Sequence, residues 1–279
     1  LSSLRQIIMD EKPDFIFHLA AQPIVSASFV NPIETIQTNT LGTVNILEAS
    51  RKLSKKCVLV IITSDKCYEN VEWIWGYREN DVLGGEDIHS ASKGAAEILI
   101  SSYVRTFLKK KDNNLLVAIG RAGNVIGGGD WAVDRLVVDV VKSWQKEKKV
   151  ILRNPDSTRP WQHVLEPVSG YLVLGSMLAK REELHGEAFN FGPNSDQDRK
   201  VQDVVKAMQE NWFGHLKADM YYSEKDTLLG ESNLLKLNCD KALSILNWEP
   251  TLDFEKTMQL TSNWYFGFYN KNNFNAFEK

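Results

Sequence analysis

The sequence is expected to fold as an α/β protein, a doubly wound parallel sheet followed by a smaller mixed α/β part. Two observations carry this. Apolar runs of strand length occur at Phe15-Ile16-Phe17-His18-Leu19, Val58-Leu59-Val60-Ile61-Ile62 and Leu115-Leu116-Val117-Ala118-Ile119. In the middle run four of the five residues are β-branched, as in a strand buried on both faces of a parallel sheet. Between the runs lie segments whose apolar positions recur at helical spacing, giving the β-α-β-α-β-α alternation of right-handed crossovers.

Taken in order, Leu4-Arg5-Gln6-Ile7-Ile8 is the end of an amphipathic helix. The Phe15 run reads as a buried strand ending in Ala20-Ala21-Gln22-Pro23, where small residues let a ligand approach the backbone. His18 within it reads as a core histidine rather than a ligand. Ile33, Ile36, Leu41, Val44 and Leu47 mark a helix from Pro32 to Arg51. Asn39 is a poor residue for its middle, which suggests either a solvent-facing turn or a site role.

The Val58 strand breaks into Thr63-Ser64-Asp65-Lys66-Cys67-Tyr68, a polar cluster at the strand's C-terminal end, where open α/β sheets bind ligands. Trp73, Trp75 and Tyr77 follow, either as a cover that excludes water or as packing for the loop. His89-Ser90-Ala91-Ser92-Lys93-Gly94 then opens a helix running to about Lys110. An acid, two lysines and hydroxyls gathered at a strand end and the next helix make a plausible reaction centre.

The Leu115 strand leads into Arg121-Ala122-Gly123-Asn124-Val125-Ile126 and the triplet Gly127-Gly128-Gly129. No Lys-Ser/Thr follows the glycines, so this is not a P-loop. Beyond it come a helix from Asp134 to Glu147, then Val150-Ile151-Leu152-Arg153-Asn154-Pro155, and a polar, turn-rich stretch with Arg153 and Arg159. Guanidinium groups suit a diphosphate because they donate paired hydrogen bonds and stay charged. Helices are then expected over Leu165–Arg181 and Val201–Phe213, a strand over Glu187–Pro193, a helical turn over Asp240–Leu246, and a last helix from Phe254 to about Tyr269. The division this suggests is residues 1–130 and residues 131–279, the second part interleaved with the last sheet elements.

The segments Thr63-Ser64-Asp65-Lys66-Cys67-Tyr68-Glu69-Asn70, Glu72-Trp73-Ile74-Trp75-Gly76-Tyr77-Arg78-Glu79 and Arg159-Pro160-Trp161-Gln162-His163-Val164 resemble the extended short-chain dehydrogenase/reductase family, and within it the CDP-glucose 4,6-dehydratases. The resemblance runs from about Pro13 to the last helix. It implies a Rossmann-like dinucleotide-binding domain, a sugar-nucleotide domain, NAD as cofactor and CDP-glucose as substrate. The family's Tyr-x-x-x-Lys pair falls on His89 and Lys93: the lysine matches and the tyrosine does not. The Gly-x-Gly-x-x-Gly turn and its strand have no counterpart in the sequence, so the resemblance implies a sheet lacking its first strands, on the order of 60–80 residues.

Carried residue by residue, the resemblance assigns Ser64 to the sugar's 4-oxygen, Asp65 as acid, Lys66 as base or its helper, His89 at the first base, and Lys93 to the nicotinamide ribose. Ala20, Ala21, Gln22, Asn39, Thr63 and Lys93 would line the cofactor; Asn124, Arg135, Arg159 and His163 the substrate. Lys66 separates this group from the dTDP-glucose relatives, which place an acid there. The resemblance also implies a homodimer through helices 32–51 and 90–111. Truncation and His89 together suggest an impaired dehydratase, the alternative being a non-catalytic, partner-binding remnant of the same fold.

Composition excludes other classes. With 43% hydrophobic and 25% charged residues and a formal net charge of −3, the chain is an ordinary globular protein without the basic surface nucleic acid requires. Three scattered cysteines make neither a disulfide framework nor a zinc site, so no metal is expected. No apolar run approaches the roughly 18 residues of a membrane span, and a cytoplasmic location is expected.

Overall fold

A computed structural model describes residues 1–110, 112–212, 221–223 and 233–270. Its elements in chain order begin with helix α1 (Ser2–Glu11), strand β1 (Phe15–His18), helices α2 (Val25–Val30), α3 (Pro32–Ile36) and α4 (Gly42–Ser50), strand β2 (Cys57–Ile62), helix α5 (Ile88–Tyr103) and strand β3 (Leu115–Ala122). There follow β4 (Val125–Ile126), α6 (Leu136–Trp144), β5 (Val150–Leu152), β6 (Thr158–Arg159), β7 (Gln162–His163), α7 (Leu165–Lys180), β8 (Ala188–Phe191), β9 (Arg199–Lys200), α8 (Val201–Asn211), β10 (Tyr221–Ser223) and α9 (Phe254–Asn270).

The main sheet has the order β1-β2-β3-β8, all parallel, with Phe15 opposite Val58, Cys57 opposite Leu115 and Ile119 opposite Ala188. Alternation along β2 and β3 sorts their side chains onto two cores. Leu59, Ile61, Leu115 and Val117 pack under α4 and α5 with Leu47 and Ile100. Val58, Val60, Leu116 and Ala118 pack under α7 with Tyr171, Leu174 and Leu178. A third cluster joins α6, α8 and α9 through Val140, Trp144, Val204, Met208, Met258 and Tyr265.

Several expectations are corrected. β1 is not buried on both faces: Phe15 and Leu19 are exposed, because β1 is the sheet's edge and pairs only with β2 among the described residues. The helix from Pro32 to Arg51 is not uniform. A π-type turn at Gln37–Leu41 interrupts it, and the altered winding carries Asn39 and Thr40 inward, so Asn39 is buried rather than solvent-facing. The helix expected over Asp134–Glu147 is the shorter α6, because Asp134 and Glu147 adopt left-handed backbone at φ 57° and 54°. Val201–Asn211 is helical as expected, while Phe213 lies outside the described residues. The glycine triplet serves packing, since a Cβ on Gly128 would sit 2.1 Å from the Trp264 ring of α9.

Candidate active site

The reaction centre begins where β2 ends. Ser64 is extended, and its hydroxyl accepts from the Lys66 N–H at 3.2 Å, capping the short turn Asp65–Cys67. The same hydroxyl donates to Asp65 Oδ1 at 2.9 Å. Asp65 is buried, and its other oxygen finds no hydrogen-bond partner among the described residues. Burial raises the carboxyl's pKa, against the pull of Ser64 and of the charges on Lys66 and Arg159, so Asp65 is biased toward its protonated, donating form. The influence of Arg159 brings β6 to the same centre, and Asp65 in turn raises the Tyr171 phenol of α7, after burial.

α5 supplies the second half. Asp87 caps it, accepting from Ser90 N at 2.9 Å and from Ser90 Oγ at 2.7 Å. His89, in the first turn, is buried, and its Nδ1 has no partner among the described residues. Burial, then Lys66, Lys93 and Arg135, lower the imidazole to about 4 against the opposing charge of Asp87, so it is neutral near pH 7. Lys93 lies one turn further along the same face. Burial brings its ammonium down to about 8, with Cys67 and Glu97 acting the other way. His18 is half-buried: burial and then Lys93 lower its imidazole, and its Nε2 lies 3.4 Å from Thr43 Oγ1.

Asn39 acts as a clamp. Its Oδ1 accepts from Gln22 N at 2.8 Å, and its Nδ2 donates to Gln22 O at 3.1 Å and to Ser92 Oγ at 2.9 Å. It thus ties the loop after β1 to α5, holding Lys93 through its neighbour Ser92 rather than directly. Leu19 and Ala20 are exposed at the open end of β1, with Ala21 half-buried. The Thr63 hydroxyl points inward, donating to Glu97 Oε1 at 2.6 Å.

On the facing side, β4 pairs with β7, and Asn124 O accepts from Gln162 N at 2.9 Å. His163 is buried, with Nδ1 accepting from Leu165 N at 3.4 Å, and burial lowers its pKa. Arg135 Nη2 donates to Pro23 O at 3.4 Å, while its Nε has no partner among the described residues. Ser26 donates to Asp134, so the segment before α6 leans on α2. Arg159 is buried and donates from Nη1 to Thr158 O at 2.9 Å. The three loop aromatics divide: Tyr77 is core, stacked on Tyr68 at 5.0 Å, whereas Trp75 is 66% exposed and meets Trp73 edge-on.

Sequence reasoning missed a buried polar group beneath these residues. Glu97, Arg121, Tyr68, Glu79 and Asn190 form one hydrogen-bonded network. A signal existed: Glu97 falls four residues after Lys93, on the helix face that packs inward. No group of three His, Cys, Asp or Glu side chains among the described residues could hold a metal.

Comparison with known proteins gives consistent results. Residues 1–261 match the family described as GDP-mannose 4,6 dehydratase. The chain is 42% identical over 265 residues to a CDP-glucose 4,6-dehydratase of Salmonella typhimurium, covering 94% of this chain and 73% of that protein. Its fold resembles the crystal structure of a dTDP-glucose 4,6-dehydratase from Bacillus anthracis in complex with NAD, with TM-score 0.79, 22% identity and coverage of 97% and 77%. It also resembles a UDP-glucuronic acid 4-epimerase from Bacillus cereus in complex with UDP-glucuronic acid and NAD, with TM-score 0.80, 20% identity and coverage of 94% and 77%.

Proposed function

The chain belongs to the GDP-mannose 4,6-dehydratase family, and on that premise we propose that this sugar-nucleotide 4,6-dehydratase acts on CDP-glucose, yielding CDP-4-keto-6-deoxyglucose. The observation that carries the reading is Asp65: a buried carboxyl, biased toward protonation, with one oxygen unpartnered among the described residues and Lys66 beside it. An elimination of water needs such a paired acid and base. Similarity to the Salmonella protein favours CDP-glucose over other sugar nucleotides.

Residues at the open end of β1 fit the nicotinamide-ribose end of NAD. Leu19 and Ala20 offer an exposed apolar ledge, and the Lys93 ammonium lies close enough to act on the neighbouring His18. NAD would supply a hydride acceptor for C4 of the glucose and return the hydride to C6. Around it, Ser64 holds the 4-oxygen and His89 takes the 4-hydroxyl proton. Asp65 gives its proton to the departing 6-hydroxyl. Lys66 takes the C5 proton, which the 4-ketone has made acidic, or assists its removal by its charge, and C5 is reprotonated as the hydride adds to C6. Asn124, Arg135, Arg159 and His163 receive the nucleotide diphosphate and sugar, the guanidinium groups matching phosphate charge and shape.

His89 stands where the resembled dehydratases carry tyrosine, and it slows the first step. An imidazole held down to about 4 takes a proton weakly at neutral pH. We further propose a homodimer through the helices spanning 32–51 and 90–111. Ile33 and Ile98 present exposed apolar side chains there, and the α3 and α5 helices lie against one another. The three cysteines are free, which fits the reducing cytoplasm. No helix among the described residues is long and apolar enough to cross a membrane.

The test is product formation. Protein given NAD⁺ and CDP-glucose should form a 4-keto product, read by its absorbance in alkali, slowly for the parent and faster for His89→Tyr. Preference for dTDP-glucose or GDP-mannose by the faster variant would overturn the substrate assignment.

A further inference from the structure

The most deeply buried ion pair among the described residues is Glu97 with Arg121, with side chains only 2% and 4% exposed. Such a pair is a weak source of net stability, because desolvation offsets most of the attraction. What it holds is more informative. Arg121 Nε donates to both Glu97 oxygens at 2.8 and 3.0 Å, and Nη2 donates to Oε2. Its remaining nitrogen, Nη1, reaches the loop, donating to Tyr68 Oη at 2.7 Å and Glu79 O at 3.0 Å. The Tyr68 hydroxyl passes its own hydrogen to Asn190 Oδ1 at 2.7 Å. On the other side Glu97 accepts from Thr63 Oγ1 at 2.6 Å.

Thr63 immediately precedes Ser64-Asp65-Lys66-Cys67, and Tyr68 immediately follows it. One ion pair therefore grips both ends of the segment that carries the acid and Lys66. From the helix side, Glu97 sits one turn beyond Lys93, which sits one turn beyond His89, on a single face of α5. Loop residues 69–87 carry no helix and only isolated bridges, and besides the direct packing of the Asp65–Cys67 turn on α5 this pair is what joins the two halves of the site.

We propose that the Glu97–Arg121 pair is the positioning device of the site, pinning both ends of the Ser64–Cys67 segment to the face of α5 that bears His89 and Lys93. This rests on the reading of Asp65 and Lys66 as reacting groups. Neither Glu97 nor Arg121 touches the sugar; they act through the residues they hold.

Two variants in the His89→Tyr background test it. Glu97→Gln combined with Arg121→Met replaces the pair by neutral side chains of similar bulk; Tyr68→Phe leaves the pair intact and cuts one of its two ties to the loop, leaving the bond to Glu79 O. Amide exchange at residues 65–69, compared with β2, reads the tether without needing turnover. In the double variant these loop amides should exchange at least about tenfold faster while those of β2 hold. Its kcat for CDP-glucose should fall about 100-fold with KM little changed, as a small misplacement of reacting groups does. Tyr68→Phe should move both in the same direction by less. Unchanged loop exchange in both variants overturns the proposal, as does a kcat loss that merely tracks the urea midpoint. If no variant turns over CDP-glucose, the functional reading fails, and loop exchange alone decides the tether.

Discussion

Replacing His89 by tyrosine separates two consequences of one buried imidazole. In the folded chain its pKa is lowered to about 4 from the usual 6.5, first by burial and then by Lys66 and Lys93. Between those values the unfolded chain binds more protons than the folded one, so the neutral imidazole's contribution is full above pH 6.5 and is lost as pH falls toward 4. The shift corresponds to about 3 kcal/mol lost between pH 7 and pH 4, a large share of the roughly 5–15 kcal/mol that holds a typical domain together. Urea unfolding followed by tryptophan fluorescence at stepped pH measures it. Other titrating groups are common to both proteins and cancel to first order in the difference. The parent should lose about 3 kcal/mol relative to His89→Tyr over that range. Dehydration of CDP-glucose should rise about 10²–10⁴-fold in the variant, the usual worth of a positioned general base. Parallel stability curves throughout would show that the imidazole is not held neutral. Equal turnover would show that it is a competent base.

Two further perturbations follow from the same geometry. Lys93→Met should stabilise the chain at pH 7 by up to about 3 kcal/mol, because burial lowers the ammonium from 10.5 to about 8 and its charge is carried at a cost; the advantage should narrow as pH rises from 8 to 10.5 and the parent's lysine discharges. A stability gain independent of pH would contradict this assignment. Gly128→Ala should destabilise by about 1–3 kcal/mol in urea and disturb the near-ultraviolet dichroism of the tryptophans, since the new methyl would meet the Trp264 ring at 2.1 Å; an unchanged spectrum and midpoint would show that α9 yields freely.

What the sequence made legible was whatever a local pattern encodes. The β-branched run Val58–Ile62 could only be a central strand, and it is buried between two helical layers. The polar cluster after it lies at the C-terminal end of β2, where open α/β sheets bind their ligands, by topology alone. The inward turn of Asn39 was not legible, because a π-type turn leaves no periodicity signal in five residues. Nor was the exposure of Phe15, since its apolar pattern is that of a central strand and only the pairing order makes β1 an edge. The Glu97–Arg121 network was hidden for a third reason. Its members are spread from Thr63 to Asn190, and each alone is an ordinary polar residue near an apolar run.

The charges around position 89 bear on the chemistry more directly than the substitution itself. Lys66, Lys93 and Arg135 all oppose a proton on the His89 ring, while Asp87 alone favours it. A histidine that accepts a proton becomes a cation, so every step toward its product state works against three positive charges. A phenol at the same place would do the reverse, becoming an anion as it loses its proton, and the same three cations would favour that anion. The surroundings therefore suit a base that ends neutral after taking the substrate's proton and begins as an anion. Imidazole begins neutral and ends charged, in a site whose electrostatics are set for the opposite sign.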